Sequence, residues 1–199
     1  HASPVKLVRA AQKDVLLIER FDRTKEAKGW TRKAMVSALT LLGLDELMAR
    51  YASYEALAEV IRHRFDDPRP TLKELFARVV FNILCGNTDD HARNHAAFWN
   101  GKTLKLTPAY DICPQPRAGY EATQAMLISG NNRLSKLKSC LNAAPRFQLT
   151  QADANAIFNS QREAIESNWK TVCDEAALSA VDRQLLWKRQ FLNPFAFED

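Results

Sequence analysis

Residues 86–94, GNTDDHARN, form a polar stretch directly after an apolar run. Their carboxylate, imidazole and amide groups are the side chains that move protons or bind cations. Asp89 and Asn94 are five residues apart, and Asp111 follows seventeen residues after Asn94. A migrating phosphoryl group is polyanionic, so its transfer needs a divalent cation and a carboxylate that orients the attacking hydroxyl. These residue types are therefore among those that magnesium-assisted phosphoryl transfer needs.

The element before the polar stretch is predicted to be a buried helix. Thr71 and Glu74 have the spacing of a capping box, and apolar residues then recur at helical spacing as far as Ile83. Most of the helix circumference is apolar, which favours a central position. A buried helix that ends in a polar loop can hold reactive side chains in place.

A hairpin is predicted after the polar stretch. Two short segments, 95–99 and 103–107, flank Asn100-Gly101, which is a strong turn signal. A hairpin of this size returns the chain toward its start. We therefore expect Asp111 to lie beside Asn94.

The spacing of Asp89 and Asn94 is also that of a protein-kinase catalytic loop, where the Asp accepts the hydroxyl proton and the Asn binds magnesium. Three blocks of the chain together resemble the HipA-type serine/threonine kinases of bacterial toxin–antitoxin modules. They are LLIERFDR at 16–23, FNILCGNTDDHARNHAAFW at 81–99 and LTPAYDICP at 106–114. The blocks stand in the order of that family and at compatible separations.

The resemblance implies roles for four residues around the polar stretch. Asp89 is expected to be the catalytic aspartate. Asn94 and Asp111 are expected to bind Mg²⁺, and His91 is expected to contact the phosphates of ATP as part of the catalytic and nucleotide-binding site.

The resemblance also implies a nucleotide hinge and a fold. Backbone groups of Glu19 and Phe21 are expected to bind the adenine, with Asp22 near the ribose. The expected fold is mainly α with short β hairpins, the C-terminal lobe of a kinase-like, HipA-type enzyme. Residues 1–199 are read as one such lobe, with the hinge hairpin at 5–23.

The implied activity is ATP- and Mg²⁺-dependent phosphoryl transfer to Ser or Thr of a protein. A translation component is the expected kind of substrate, and a HipB-like DNA-binding antitoxin is the expected partner. Contact with nucleic acid is then indirect. No apolar run approaches the roughly 20 residues of a membrane span, so we expect a cytoplasmic protein.

A phosphate-covering loop and a phosphate-binding lysine are expected before the hinge of such a kinase. Lys6 and Lys13 are the only lysines there, and the stretch from Lys6 to Glu19 is too short to contain the usual intervening helix. We therefore expect the chain to be the C-terminal part of a larger enzyme, and to bind ATP weakly by itself.

Composition supports an ordinary globular domain. Hydrophobic residues make up 46% and charged residues 26%, with a net charge of +5 and a pI near 9.1. The basic residues are scattered, which favours a solvated positive surface over a DNA-binding face. The four cysteines contain no CxxC pair, so we expect them to be reduced, and buried or nearly so: Cys85, Cys113, Cys140 and Cys173.

The remaining elements are predicted from caps and periodicity. Residues 5–10 and 15–21 are predicted to form a β hairpin, and 24–29 a polar connector. Helices are predicted to begin at four capping residues: Thr31, Ser53, Thr150 and Ser179. The first of these helices is predicted to stop at Gly43.

Several alternatives remain open on the residues alone. His91 and His95 have the spacing of two zinc ligands on a helix, although the Glu of an HExxH motif is missing. Asp90 is interpreted as a cap or as a partner of Arg93. The lobe is alternatively a non-catalytic binding module, or a small-molecule phosphotransferase with the same Asp and Asn spacing.

Overall fold

The N-terminal part of the chain consists of two exposed β hairpins. The computed structural model describes residues 1–117 and 119–199. Strands β1 (Val5–Ala10) and β2 (Lys13–Ile18) pair antiparallel, with Val5 opposite Ile18, which confirms the first predicted hairpin. Most of its large apolar side chains are exposed on this two-stranded sheet: Val5, Leu7, Val15, Leu16, Leu17 and Ile18.

The predicted connector at 24–29 was wrong. Strands β3 (Arg23–Glu26) and β4 (Gly29–Arg32) form a second antiparallel pair. Almost every side chain of this pair is exposed, so the pair has no apolar alternation that would reveal it in the sequence.

The helix predicted to begin at Thr31 was also placed wrongly. Thr31 lies in β4, and the chain next forms strand β5 (Met35–Ser37) and a single turn, α1 (Ala38–Leu41). The side chain of Ser37 caps that turn by accepting a hydrogen bond from the Thr40 amide. Strand β5 forms because it pairs with a strand about sixty residues later, and this tertiary contact overrides the local helical pattern.

The body of the molecule is helical. Its long helices are α2 (Tyr54–Arg64), α3 (Pro68–Cys85) and α5 (Gln151–Glu175). The shorter α4 (Leu137–Ala143) precedes α5, and α6 (Ala180–Leu186) follows it. The predicted caps of α2, α5 and α6 are confirmed. The hydroxyl groups of Ser53, Thr150 and Ser179 each accept a backbone hydrogen bond at the start of their helix.

Helix α3 is central and buried, as predicted, but it begins earlier than the capping-box pattern indicated. Pro68 occupies its first turn, where the missing N–H of proline costs nothing, and Thr71 donates its hydroxyl to the Asp67 carbonyl. Glu74 pairs with Arg78 instead of capping. Five of its large apolar side chains are at most 1% exposed, and each contributes about 1.5–3 kcal/mol through burial: Leu72, Leu75, Phe76, Val80 and Leu84.

The predicted second hairpin is confirmed. Strands β6 (Ala96–Trp99) and β7 (Leu104–Leu106) pair antiparallel, and β5 adds to the other edge of β6 to give the order β5-β6-β7. The side-chain carbonyl of Asn100 accepts hydrogen bonds from the amides of Lys102 and Thr103, which closes the turn.

All four cysteines are free thiols, as expected, but the predicted burial was wrong for one of them. Cys85, Cys140 and Cys173 are buried, whereas Cys113 is exposed. The reason is that Cys113 follows Asp111 in an irregular segment with no helix or strand to cover it. Residue 118 of this segment lies outside the described residues.

Among the described residues, no helix combines the length and the apolar character needed to cross a membrane.

Candidate active site

The polar loop begins where helix α3 stops at Gly86. Gly86 adopts a left-handed conformation (φ +75°), and its amide bonds to the carbonyls of Asn82 and Ile83 in a helix-terminating turn. A Cβ at this position would lie 2.6 Å from the backbone oxygen of Gln190. Only glycine therefore fits, and the direction in which the loop leaves the helix is set by backbone packing.

Asp89 and Asn94 face each other across this loop. Asn94 is buried, and its side-chain Nδ2 donates to the backbone carbonyl of Asp89 at 3.3 Å. This bond leaves the Asn94 Oδ1, the atom that binds cations, without a partner among the described residues. The Asp89 carboxylate is exposed and likewise has no described hydrogen-bond or ion-pair partner.

The segment that carries Asp111 is held against the loop on both sides of that residue. The Tyr110 hydroxyl donates to the Arg93 carbonyl at 2.6 Å, and the Gln115 amide donates to the Gly86 carbonyl at 2.9 Å. Burial raises the pKa of Tyr110 to about 12, so this hydroxyl stays a donor at neutral pH. The structure thus brings the neighbours of Asp111 and Asn94 into direct contact.

Asp111 itself has a backbone conformation that side chains seldom adopt. Its φ is +57°, in the left-handed region, and its carboxylate is exposed with no partner among the described residues. Aspartate tolerates this region better than most residues, and such strain concentrates at functional sites.

Phe21 connects the predicted hinge to the same site. Its ring lies 5.5 Å from that of Tyr110 and 6.0 Å from that of Phe98, measured between centroids. The hinge segment therefore packs directly beside the residue that precedes Asp111.

The other predicted hinge residues already have partners within the chain. The Glu19 amide donates to the Pro4 carbonyl at 2.9 Å, and the Glu19 carbonyl accepts from the Ser3 hydroxyl at 2.7 Å. Arg20 donates two hydrogen bonds to the Asp22 carboxylate, and these bonds lower the pKa of that group. The backbone N–H and carbonyl of Phe21 have no described partner.

His91 lies at the turn between Asp89 and Asn94, just before the 3-10 turn Ala92–Asn94. Its Nδ1 is buried and has no hydrogen-bond partner among the described residues. A buried polar atom without a partner is costly in free energy, and this atom has almost no surface through which an external group could reach it.

Asp90 was interpreted wrongly from the sequence. It is only 3% exposed, and three side chains converge on its Oδ2 atom: the Tyr54 hydroxyl at 2.5 Å, the Asn82 Nδ2 at 2.6 Å and the His95 Nε2 at 2.9 Å. We call these four residues the Asp90 cluster. Arg93, the expected partner of Asp90, pairs with Glu46 at the surface instead.

The surroundings of Asp90 favour its ionised form, and those of Tyr54 favour its neutral form. Burial alone would raise the pKa of Asp90, but the charge and hydrogen bond of His95, with the hydrogen bonds of Tyr54 and Asn82, lower it below its ordinary value. Burial and the neighbouring Asp90 raise the pKa of Tyr54 well above its ordinary value. Asp90 is thus an ionised acceptor and Tyr54 a neutral donor.

The zinc alternative has no support in this arrangement. His95 directs its Nε2 at Asp90, and the described residues contain no group of three or more His, Cys, Asp or Glu side chains that could hold a metal ion. Asp89, Asn94 and Asp111 offer oxygen atoms instead. Oxygen ligands suit a hard cation such as Mg²⁺, which also keeps several waters and so needs few protein ligands.

Comparison with solved structures identifies the fold. The chain superposes on HipA from Shewanella oneidensis, solved with HipB and operator DNA, with a TM-score of 0.79 and 19% identity, covering 98% of this chain and 53% of HipA. It also superposes on the Helicobacter pylori proinflammatory kinase CtkA, with a TM-score of 0.58 and 15% identity, covering 98% of this chain and 79% of CtkA. The chain therefore has a kinase-like fold of helices with small antiparallel sheets.

The chain belongs to the family of HipA-like C-terminal domains, whose model matches residues 1–169. The resemblance inferred from the three sequence blocks is thereby confirmed. Two curated relatives are a Haemophilus influenzae protein named "Putative kinase", 30% identical over 134 residues, and "Putative kinase Y4mE" of Sinorhizobium fredii, 26% identical over 116 residues. The alignments cover 60% and 55% of this chain but only 38% and 27% of those relatives.

Proposed function

We propose that this chain is the magnesium- and nucleotide-binding lobe of a serine/threonine protein kinase of the HipA type. One observation carries the proposal. The loop with Asp89 and Asn94 and the segment with Asp111 are bonded together on both sides of Asp111, through Tyr110 to Arg93 and through Gln115 to Gly86.

The proposed roles follow from what each group can bind. Asp89 is exposed and unpaired among the described residues, so its carboxylate is free to accept a hydrogen bond from a Ser or Thr hydroxyl and to orient that hydroxyl. Asn94 Oδ1 and the Asp111 carboxylate are the proposed Mg²⁺ ligands. A cation there would neutralise charge on the phosphates of ATP.

His91 and Phe21 are the proposed nucleotide contacts that the local geometry favours most. His91 lies between Asp89 and Asn94 in the loop and is half-buried, so its imidazole is proposed to contact a phosphate oxygen, and the unpaired backbone of Phe21 is suited to an adenine edge. Adenine binding through the Glu19 backbone and a ribose contact through Asp22 remain part of the proposal. Asp22 would have to share its carboxylate with Arg20.

The proposed enzyme includes protein outside residues 1–199. The chain spans well under half of its two curated relatives, and a phosphate-binding lysine and loop are proposed to come from the remaining part. The exposed apolar side chains of β1 and β2 fit this proposal, because a two-stranded hairpin is rarely stable without a covering surface.

The proposed biological setting is a toxin–antitoxin module. HipA of Shewanella oneidensis was solved with HipB and operator DNA. By analogy, we propose a HipB-like DNA-binding antitoxin as partner and a protein of the translation machinery as substrate. The proposed partner and the proposed substrate both follow from family membership and not from a surface of this chain.

Transfer of the γ-phosphoryl group from labelled ATP to protein acceptors tests the proposal. The natural full-length protein should transfer label in the presence of Mg²⁺, and Asp89→Asn should lower the rate at least about 100-fold because the hydroxyl loses its orienting base. Asp66→Asn is the matched control, since Asp66 is exposed on the loop between α2 and α3.

Equal rates for Asp89→Asn and the control would contradict the proposed role of Asp89. Mg²⁺-dependent ATP binding without transfer to any protein would favour the alternative of a non-catalytic binding module. Transfer to small hydroxyl compounds alone would favour the small-molecule phosphotransferase.

A further inference from the structure

The Asp90 cluster joins three elements of the fold at a single oxygen atom. Tyr54 is the first residue of α2, Asn82 lies in the last turn of α3, and His95 immediately precedes β6. All three donate toward Oδ2 of Asp90 within 2.9 Å. The side chain of Asp90 therefore fixes the polar loop to the helical body.

The cluster is shielded from solvent on every side. Tyr54 is 0% exposed, Asn82 and His95 are each 2% exposed, and the Tyr54 ring meets the His95 ring edge-on at 5.7 Å. Asn87 extends the cluster by donating to the Asn82 side-chain carbonyl at 3.1 Å. Hydrogen bonds to a charged acceptor in such surroundings are stronger than exposed ones and fix the positions of their partners.

Two parallel links close the loop. Asn94 Nδ2 bonds to the Asp89 carbonyl, and one residue further along, His95 Nε2 bonds to the Asp90 carboxylate. Each link spans five residues. The second link is shifted by one residue, so the buried pair fixes the residues directly adjacent to Asp89 and Asn94, which carry the exposed carboxylate and the amide.

We propose that Asp90 is a positioning residue: through Tyr54, Asn82 and His95 it sets the separation of the Asp89 carboxylate and the Asn94 amide. This inference rests on the proposed function, because it assigns the cluster to the phosphoryl-transfer step. It goes beyond a stabilising role, in which the cluster would hold the fold together with no effect on the rate of a folded molecule.

Tyr54→Phe separates the two roles. The substitution keeps the buried ring and removes only the hydroxyl bond to Asp90. Tyr51→Phe is the matched control, because Tyr51 is about half exposed and its hydroxyl has no described partner. Both variants are to be made in the natural full-length protein and checked for folding by circular dichroism.

The expected result is a separation of kcat from KM. Loosening the loop displaces Asp89 in the transition state, and small displacements of a catalytic group cost up to about 100-fold in rate. We expect kcat of Tyr54→Phe to fall at least about tenfold, with KM for ATP within about twofold of wild type. The Tyr51→Phe control should leave both parameters unchanged.

A second variant, Asp90→Asn, keeps the shape of the side chain and removes its charge. It should lower kcat at least as much as Tyr54→Phe, and the double variant should lose less than the product of the two single effects because both act through one contact. If Asp90→Asn does not fold, Tyr54→Phe alone decides.

Folded Tyr54→Phe protein with wild-type kcat would overturn the positioning role, as would a change confined to KM. Failure of the proposed phosphoryl-transfer function would give a different result from failure of the positioning role. If Asp89→Asn transfers phosphate as fast as wild type, the proposed chemistry is wrong; if Asp89→Asn is inactive and Tyr54→Phe is fully active, only the positioning role is wrong.

Discussion

Asp89 and Asp90 are neighbours in the chain and have opposite surroundings. Asp90 is buried and accepts bonds from three side chains, whereas Asp89 is exposed and its carboxylate has no partner among the described residues. The loop runs in an irregular, non-helical path here, so consecutive side chains point in different directions. The difference teaches that the proposed roles are divided between adjacent residues: Asp90 is surrounded as a stabilising residue, and Asp89 is the carboxylate left open for the proposed chemistry.

Alanine at the two positions should produce the largest contrast. Asp90→Ala leaves Tyr54, Asn82 and His95 without their common acceptor, and we expect it to lower the free energy of unfolding by about 3–5 kcal/mol. Asp89→Ala removes an exposed group and should change that free energy by less than about 0.5 kcal/mol. Urea unfolding of both variants measures the two losses in free energy. Equal losses would contradict the different structural roles of Asp89 and Asp90.

Gly86 tests whether the start of the loop is fixed by packing. Gly43 and Gly86 are both left-handed (φ +67° and +75°), but a Cβ at Gly43 has no neighbour within 4 Å, while one at Gly86 meets the Gln190 backbone. Gly43→Ala should therefore cost only the conformational penalty of about 1–2 kcal/mol. Gly86→Ala should cost clearly more in thermal unfolding, and similar costs would mean that the Gln190 contact relaxes freely.

Asp111 extends the comparison to the second exposed carboxylate. Asp111→Asn should weaken ATP binding in the presence of Mg²⁺ by about tenfold or more, which is about 1.4 kcal/mol, because one charged cation ligand is lost. Binding without Mg²⁺ should hardly change. Calorimetric titration of the full-length protein with and without Mg²⁺ measures both, and an Mg²⁺-independent loss would argue against a ligand role.

Lowering the pH should reduce the contribution of Asp90 to stability. The folded-state pKa of Asp90 is lowered by His95, Tyr54 and Asn82, which outweigh its burial. Its contribution to stability is therefore complete above the ordinary aspartate value of about 3.9 and is lost as pH falls through the lower folded-state pKa. The difference in melting temperature between wild type and Asp90→Asn should shrink as the pH falls below about 4.

An unchanged difference in melting temperature as the pH falls would mean that Asp90 is not the ionised acceptor inferred from the geometry. The His63→Gln variant serves as a control for nonspecific acid effects, since His63 is exposed and pairs with Glu59 on the surface of α2.

Local patterns in the sequence predicted what depends on neighbours in the chain. The caps at Ser53, Thr150 and Ser179 are each formed within three residues of the capping side chain. The turn at Asn100 and Gly101 is similarly local. These features were predicted because their hydrogen bonds join residues whose separation is visible in the sequence.

Features that depend on distant partners were missed. Strand β5 exists because Val36 pairs with Ala97, and no local pattern at Thr31 indicates that partner. The role of Asp90 depends on Tyr54, 36 residues earlier in the chain. The one available signal was His95, five residues after Asp90, which repeats the spacing of Asp89 and Asn94.

The sequence predicted that the segments of the candidate site lie together, and the roles of its residues stay predictions. Three sequence blocks indicated Asp89, Asn94 and Asp111, and the structure brings the segments that carry them together. The bonds that hold these segments, from Tyr110 to Arg93 and from Gln115 to Gly86, connect irregular stretches and could not be read from periodicity.

The most direct test of the central claim is a crystal structure of the full-length protein with Mn²⁺ and a non-hydrolysable ATP analogue, analysed by anomalous diffraction. The account predicts a metal peak in direct contact with Asn94 Oδ1 and the Asp111 carboxylate, with the terminal phosphate facing Asp89. A metal peak elsewhere, or a nucleotide bound with Asp111 and Asn94 out of contact with it, would contradict the account.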